Sequence, residues 1–224
     1  MKVMAVNGSP RKKWNTATLL ENALAGAKAA GAQTEFVHLY DHSYTGCISC
    51  FACKKIGGKN YGRCAVKDGL SPILKRAADA QVLILGTPIY FYSETGEMRS
   101  FMERLLFPYL TYTPGYASIF SGNLRAALVY TMNVAEKDMP AYNQDKTVSA
   151  SQSVMAHVFG NCEVLLCTDT YQFKDYSKYV STCWDPQAKA RRREEVFPKD
   201  CLRAKELGAK LVAAAAYGKA TVKD

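Results

Sequence analysis

Lys2-Val3-Met4-Ala5-Val6-Asn7-Gly8 opens the chain as a short apolar run stopped by a glycine. Such a run reads as a strand buried on both faces. A polar loop follows, and residues 16–30 then set Leu20, Ala23, Leu24 and Ala27 at helical spacing before Gly31 offers a stop. The strand-then-helix unit recurs downstream. Residues 34–40 read as a second strand, and Ser71-Pro72 starts a helix with Ser as its cap and Pro in its first turn. Val82-Leu83-Ile84-Leu85-Gly86-Thr87 is a buried strand, and residues 94–106 carry Met98, Phe101, Met102 and Leu105 on one helical face. Residues 124–132 and 163–168 read as strands, 145–158 and the alanine-rich 199–216 as helices.

Alternation of this kind makes a parallel sheet with helices on both faces, and right-handed crossovers leave few topologies open. The expected fold is therefore α/β, a doubly wound five-stranded parallel sheet of flavodoxin type. No repeat, low-complexity tract or linker divides the sequence, so residues 1–224 are expected to form one domain. Two stretches stand outside the scheme: a Cys-rich insert at about 41–68, and residues 168–198.

Hydrophobic residues make up 48% of the chain and charged residues 22%, ordinary values for a globule with a sizeable core. No apolar run has the length of a membrane span. The first residues turn polar at Asn7, too soon for a secretory signal, which predicts a cytoplasmic protein. The net charge of +9 attracts anions, but the basic residues are spread along the chain. The densest cluster, Lys189-Ala190-Arg191-Arg192-Arg193, is followed at once by Glu194-Glu195 and reads as a solvated face rather than a nucleic-acid patch.

In open α/β sheets ligands sit beyond the carboxyl ends of the strands. The first such loop here is Asn7-Gly8-Ser9-Pro10-Arg11-Lys12-Lys13-Trp14-Asn15-Thr16. It runs into a helix, whose free N–H groups favour an anion. Ser9 and Thr16 add hydroxyls, Asn15 an amide and Arg11 a charged fork. The spacing is neither a P-loop nor a G-x-G-x-x-G fingerprint. It therefore suits a single phosphate, as in FMN, although an ordinary polar strand-to-helix loop has the same composition.

Gly8-Ser9-Pro10-Arg11 followed by Asn15-Thr16 resembles the phosphate loop of the NADPH-dependent FMN reductase and iron–sulfur flavoprotein group. Thr87-Pro88-Ile89-Tyr90-Phe91-Tyr92-Ser93-Glu94-Thr95-Gly96, continuing through Met98 to Arg104, resembles the loop that this group lays along the flavin ring. The insert ending in Gly62-Arg63-Cys64-Ala65-Val66-Lys67-Asp68 is similar as well. The resemblance implies that Ser9, Arg11, Asn15, Thr16 and the backbone at Ala17 hold the FMN phosphate. It implies that Pro88, Ile89, Tyr90, Phe91 and Tyr92 lie along the isoalloxazine, and that Thr131, Met132 and Asn133 supply the remaining edge. A flat apolar plate with a polar rim suits aromatic side chains on its faces and amides on its rim. The implied activity is oxidoreduction between NAD(P)H and a small acceptor such as a flavin or quinone, or a redox partner protein, in a homodimer or homotetramer. An iron–sulfur flavoprotein, or a flavodoxin-like electron carrier without productive NAD(P)H oxidation, is the alternative. Since the cofactor carries the chemistry, no catalytic side chain is required, and His38, His42 and His157 read as structural or exposed.

Eight cysteines are present, four of them at Cys47, Cys50, Cys53 and Cys64. The C-x-x-C-x-x-C run has the compact spacing of iron–sulfur ligation, with Cys64 able to complete four ligands. The resembling group usually has a shorter final gap. A [4Fe–4S] cluster, zinc and no metal at all are each compatible with this pattern. Cys162 and Cys167 read as core.

Overall fold

A computed structural model describes residues 1–220; residues 221–224 of the expected single domain lie outside the described residues. The elements in chain order are β1 (Lys2–Asn7), α1 (Asn15–Ala29), β2 (Gln33–His38), α2 (Ser71–Asp79), β3 (Val82–Tyr90), β4 (Ser93–Glu94), α3 (Gly96–Leu106), β5 (Arg125–Thr131), α4 (Gln144–Phe159), β6 (Glu163–Cys167), α5 (Pro186–Glu195) and α6 (Phe197–Ala220). Five parallel strands lie in the order β2-β1-β3-β5-β6, and the two-residue β4 folds back antiparallel on β3. Counting the parallel strands alone, this is the doubly wound flavodoxin order.

Period-two alternation sends neighbouring side chains of each strand to opposite layers. Met4 and Val6 of β1, Leu83 and Leu85 of β3, and Leu128 and Tyr130 of β5 pack beneath α2, α3 and α4. Val3, Ala5, Val82, Ile84, Ala127 and Val129 face α1 and α6. Those two helices nearly touch. A Cβ on Gly26 would lie 1.9 Å from the Lys205 carbonyl oxygen, and one on Gly208 would lie 1.9 Å from that of Ala23. Only glycine fits at either place.

Three local expectations change. β3 runs past Thr87 to Tyr90, because Pro88 pairs with Thr131 at the parallel β5 edge and Ile89 and Tyr90 then pair with β4. Ser71 does not cap α2; its hydroxyl donates to the Val66 carbonyl and accepts from the Asp68 N–H. The basic cluster at 189–193 lies on a helix, α5, but three of its four cations, Lys189, Arg192 and Arg193, turn inward onto Asp169, Asp200 and Asn15. No helix among the described residues is long and apolar enough to cross a membrane.

Candidate functional site

Strand order reverses between β1 and β3, so the β1–α1 loop and the β3–β4 hairpin flank one crevice. Gly8, directly after β1, begins the first of these loops. The Thr95 hydroxyl caps α3 by accepting from Met98 N–H (3.3 Å) and donates to the Gly8 carbonyl at 2.7 Å. A Cβ at Gly8 would meet Met98 Cβ at 2.8 Å, so the close approach of α3 excludes a side chain there. α1 then begins after Trp14 with no side-chain cap and no acidic residue in its first turn. Its leading N–H groups and the Arg11 guanidinium define an electropositive pole.

One cleft is lined jointly by Ser9, Arg11, Asn15 and Thr16, by Pro88, Ile89 and Tyr90, and by Thr131, Met132 and Asn133. Ten of the thirteen residues expected from the sequence thus come together. Ala17 is buried in the first turn of α1, where its backbone can contribute but its methyl faces the core. Phe91 and Tyr92 do not line the cleft. They form the tip of the β3–β4 hairpin at φ 46° and 68°, left-handed values that a two-residue turn demands and bulky side chains resist. Phe91 is 99% exposed, while Tyr92 stacks on Tyr142 at 6.3 Å.

The hairpin is anchored by a buried carboxylate. Glu94 Oε1 accepts from the Tyr130 and Ser151 hydroxyls, each at 2.6 Å, and Oε2 accepts from Ser93 at 3.0 Å. Burial pushes the Glu94 carboxyl up, but hydrogen bonds from Ser151, Tyr130 and Ser93 outweigh it and hold the group below the usual carboxylate range. β3–β4, β5 and α4 are thereby tied at one point.

The phosphate-loop side chains are themselves held from elsewhere in the chain. The Thr16 and Thr131 hydroxyls are 2.8 Å apart. Asn15 donates to the Tyr171 carbonyl and accepts from Arg193, so its amide braces the loop instead of pointing freely into the cleft. Arg11 donates to the Gln172 carbonyl at 2.7 Å. Thr170, Gln172 and Trp184 line the same cleft, all from the stretch that the strand–helix pattern left unassigned. Lys189, 5% exposed, donates to the Asn133 carbonyl and side-chain oxygens and to Asp169. Arg192 pairs with the buried Asp200, and Arg193 lies over the Phe197 ring. The signal available in the sequence was Asp185-Pro186, a capping residue and a first-turn proline that start α5.

The four insert cysteines are not gathered. Cys47 and Cys50 are exposed, Cys53 is buried and Cys64 half-buried. Cys64 Sγ accepts instead from Arg104 Nε at 3.3 Å. Among the described residues no three His, Cys, Asp or Glu side chains are close enough to share a metal ion. As placed, the set fits neither a [4Fe–4S] cluster nor zinc. Arg104, fully buried, organises this end of the insert through Asp68 (2.5 Å), the Thr45 carbonyl (2.9 Å) and the Val66 carbonyl. Of the histidines, His38 Nδ1 pairs with the Asn7 amide at 2.9 Å and His157 with the Tyr116 carbonyl.

Residues 1–135 match the family model described as NADPH-dependent FMN reductase. An iron–sulfur flavoprotein of Methanocaldococcus jannaschii is 36% identical over 104 residues, 46% of this chain and 51% of that protein. The chain spans about half the length of the curated relatives it matches. Among solved structures, an NAD(P)H:quinone oxidoreductase from Methanothermobacter marburgensis superposes with a TM-score of 0.66 at 16% identity, covering 94% of this chain and 96% of the other. An FMN-dependent NADH-azoreductase from Bacillus anthracis, solved in complex with FMN, gives 0.67 at 13% identity, covering 94% and 99%. At such identities the superpositions establish the fold.

Proposed function

The chain belongs to the NADPH-dependent FMN reductase family, and on that premise we propose that it is an FMN-dependent NAD(P)H oxidoreductase serving a small acceptor such as a flavin or quinone. The observation that carries this reading is the uncapped, acid-free start of α1 opening into the same cleft as Pro88, Ile89 and Tyr90. An anion-seeking pole and a partly apolar wall at one switch point suit a mononucleotide with a flat ring.

The phosphate would be held by the α1 N–H groups, the Ser9 and Thr16 hydroxyls and Arg11, with Asn15 bracing the loop from behind. The ring would rest against Pro88, Ile89 and Tyr90, with Thr131, Met132 and Asn133 at its rim. FMN, when bound, supplies hydride acceptance from a nicotinamide and delivery of the electrons onward. The protein's part is to bind, orient and desolvate, and no side chain is assigned a proton transfer. Residues 1–224 are read as one FMN-binding domain carrying the insert at 41–68, and the functional unit as a homodimer or homotetramer.

The test is twofold. Apo-protein titrated with FMN should quench flavin fluorescence at stoichiometric ratio, and anaerobic NADPH should then bleach the flavin absorbance. Protein that refuses FMN at high concentration overturns the reading. Protein that binds FMN but is never reduced by NADPH or NADH is an electron carrier instead.

A further inference from the structure

A second cavity, of about 480 Å3, adjoins the phosphate end of the cleft and shares Arg11, Trp14 and Gln172 with it. Four cations line it, Arg11, Lys13, Lys174 and Lys178, against one carboxylate, Asp175. Asp175 is already engaged: it accepts from the Ser177 N–H (3.0 Å) and hydroxyl (2.6 Å) and lies 3.6 Å from Lys178. Lys13 and Lys174 have no carboxylate within ion-pair distance among the described residues. The fold does not need these charges, since both side chains are exposed and contribute nothing to either core.

The cavity also has a flat apolar wall. Phe173 and Tyr179 stack at 4.1 Å with their planes 12° apart, and Arg11 lies over the Trp14 ring at 5.6 Å. Aromatic plates beside unneutralised cations are the chemistry that holds a purine and its phosphates together, through stacking and charge-assisted hydrogen bonds. The volume is within the range of small-ligand sites. Because Arg11, Trp14 and Gln172 line both, a ligand seated here lies directly beside the mononucleotide site.

We propose that this cavity is a subsite for the adenosine phosphate portion of a dinucleotide. Two sources carry that chemistry: the 2′-phosphorylated adenosine of NADPH, and the ADP half of FAD bound in place of FMN. The inference rests on the cleft being the mononucleotide site, and it adds the residues that select the second nucleotide.

The probes are 2′,5′-ADP and 5′-ADP titrated calorimetrically into FMN-loaded protein, and FAD compared with FMN on apo-protein. The variant is Lys174→Ala/Lys178→Ala. If the source is NADPH, 2′,5′-ADP binds the FMN-loaded protein more tightly than 5′-ADP does, and the double variant weakens it at least tenfold. If the source is FAD, apo-protein binds FAD at least tenfold more tightly than FMN, and the double variant abolishes that difference. In either case FMN affinity stays within twofold, because neither lysine lines the mononucleotide cleft. The proposal is overturned if neither ADP binds at millimolar concentration and FAD gains nothing over FMN, or if the double variant leaves these differences unchanged. FMN binding is read separately, so loss of the mononucleotide reading is seen as its own result.

Discussion

Arg193 donates to the side-chain oxygen of Asn15 at 2.8 Å, across 178 residues of sequence. The contact ties α5, near the end of the chain, to the start of α1. It makes the last fifth of the molecule part of the scaffold for the first loop. The Thr16–Thr131 hydroxyl pair does the same from β5.

Removing the brace should loosen the loop. In Arg193→Ala, Asn15 loses a charge-assisted hydrogen bond and Phe197 loses the guanidinium over its ring, so FMN should bind several-fold more weakly. A charged hydrogen bond contributes about 1.5–3 kcal/mol, so thermal unfolding should also begin earlier. Fluorescence titration and calorimetry measure the two effects. An unchanged FMN affinity would show that the brace is passive.

Thr16→Val keeps the shape of the side chain and deletes its hydroxyl. Thr131, itself buried, is left with an unpartnered hydroxyl at a cost of about 1–3 kcal/mol. The expected result is a lower urea midpoint with an unchanged slope, together with weaker FMN binding. A Thr16→Ser variant, which restores the hydroxyl, should recover most of both.

The Glu94 cluster predicts acid sensitivity with a definite sign. Its folded carboxyl is held below the usual carboxylate range, so its contribution is present above the unfolded value, about 4.3. The contribution is lost as pH falls through the folded value. Urea unfolding from pH 7 down to pH 3 should show stability falling in the acid limb. Glu94→Gln should be less stable at neutral pH, with a flatter acid limb. Equal acid slopes in both proteins would move the sensitivity to other groups.

Arg104 is the pin of the insert. In Arg104→Met, Asp68 keeps its charge in a half-buried place, and the Thr45 and Val66 carbonyls lose their donor. Breaking a buried pair from one side costs about 3–5 kcal/mol. The insert should become the first site of limited proteolysis, and Cys64 should react faster with a thiol reagent. A cleavage pattern like that of the parent protein would contradict this role.

Helix contact gives a further check. Gly208→Ala drives a methyl into the Ala23 carbonyl of α1. Overpacking of this kind costs about 1–3 kcal/mol. The melting temperature should drop, and FMN affinity should suffer because α1 carries the phosphate loop. An unshifted melting curve would mean that α6 slides away freely.

What the sequence determined by itself was everything local in origin. The apolar runs at Lys2–Asn7 and Val82–Thr87 and the 3.6-residue stripes between strands establish a doubly wound sheet, because burial of those faces has few solutions. The loop from Ser9 to Thr16 was legible because its chemistry lies in consecutive residues. Tertiary structure decided what depends on partners far along the chain. Phe91 and Tyr92 read as flavin contacts, yet hairpin pairing with β4 turns them to the tip. Lys189, Arg192 and Arg193 read as a solvated run, yet Asn133, Asp169, Asp200 and Asn15 draw them inward. Cys64 read as a fourth ligand, yet Arg104 claims its sulfur. Spacing specifies which side chains share a face, whereas the direction of a charged or aromatic group depends on the buried polar partner that satisfies it.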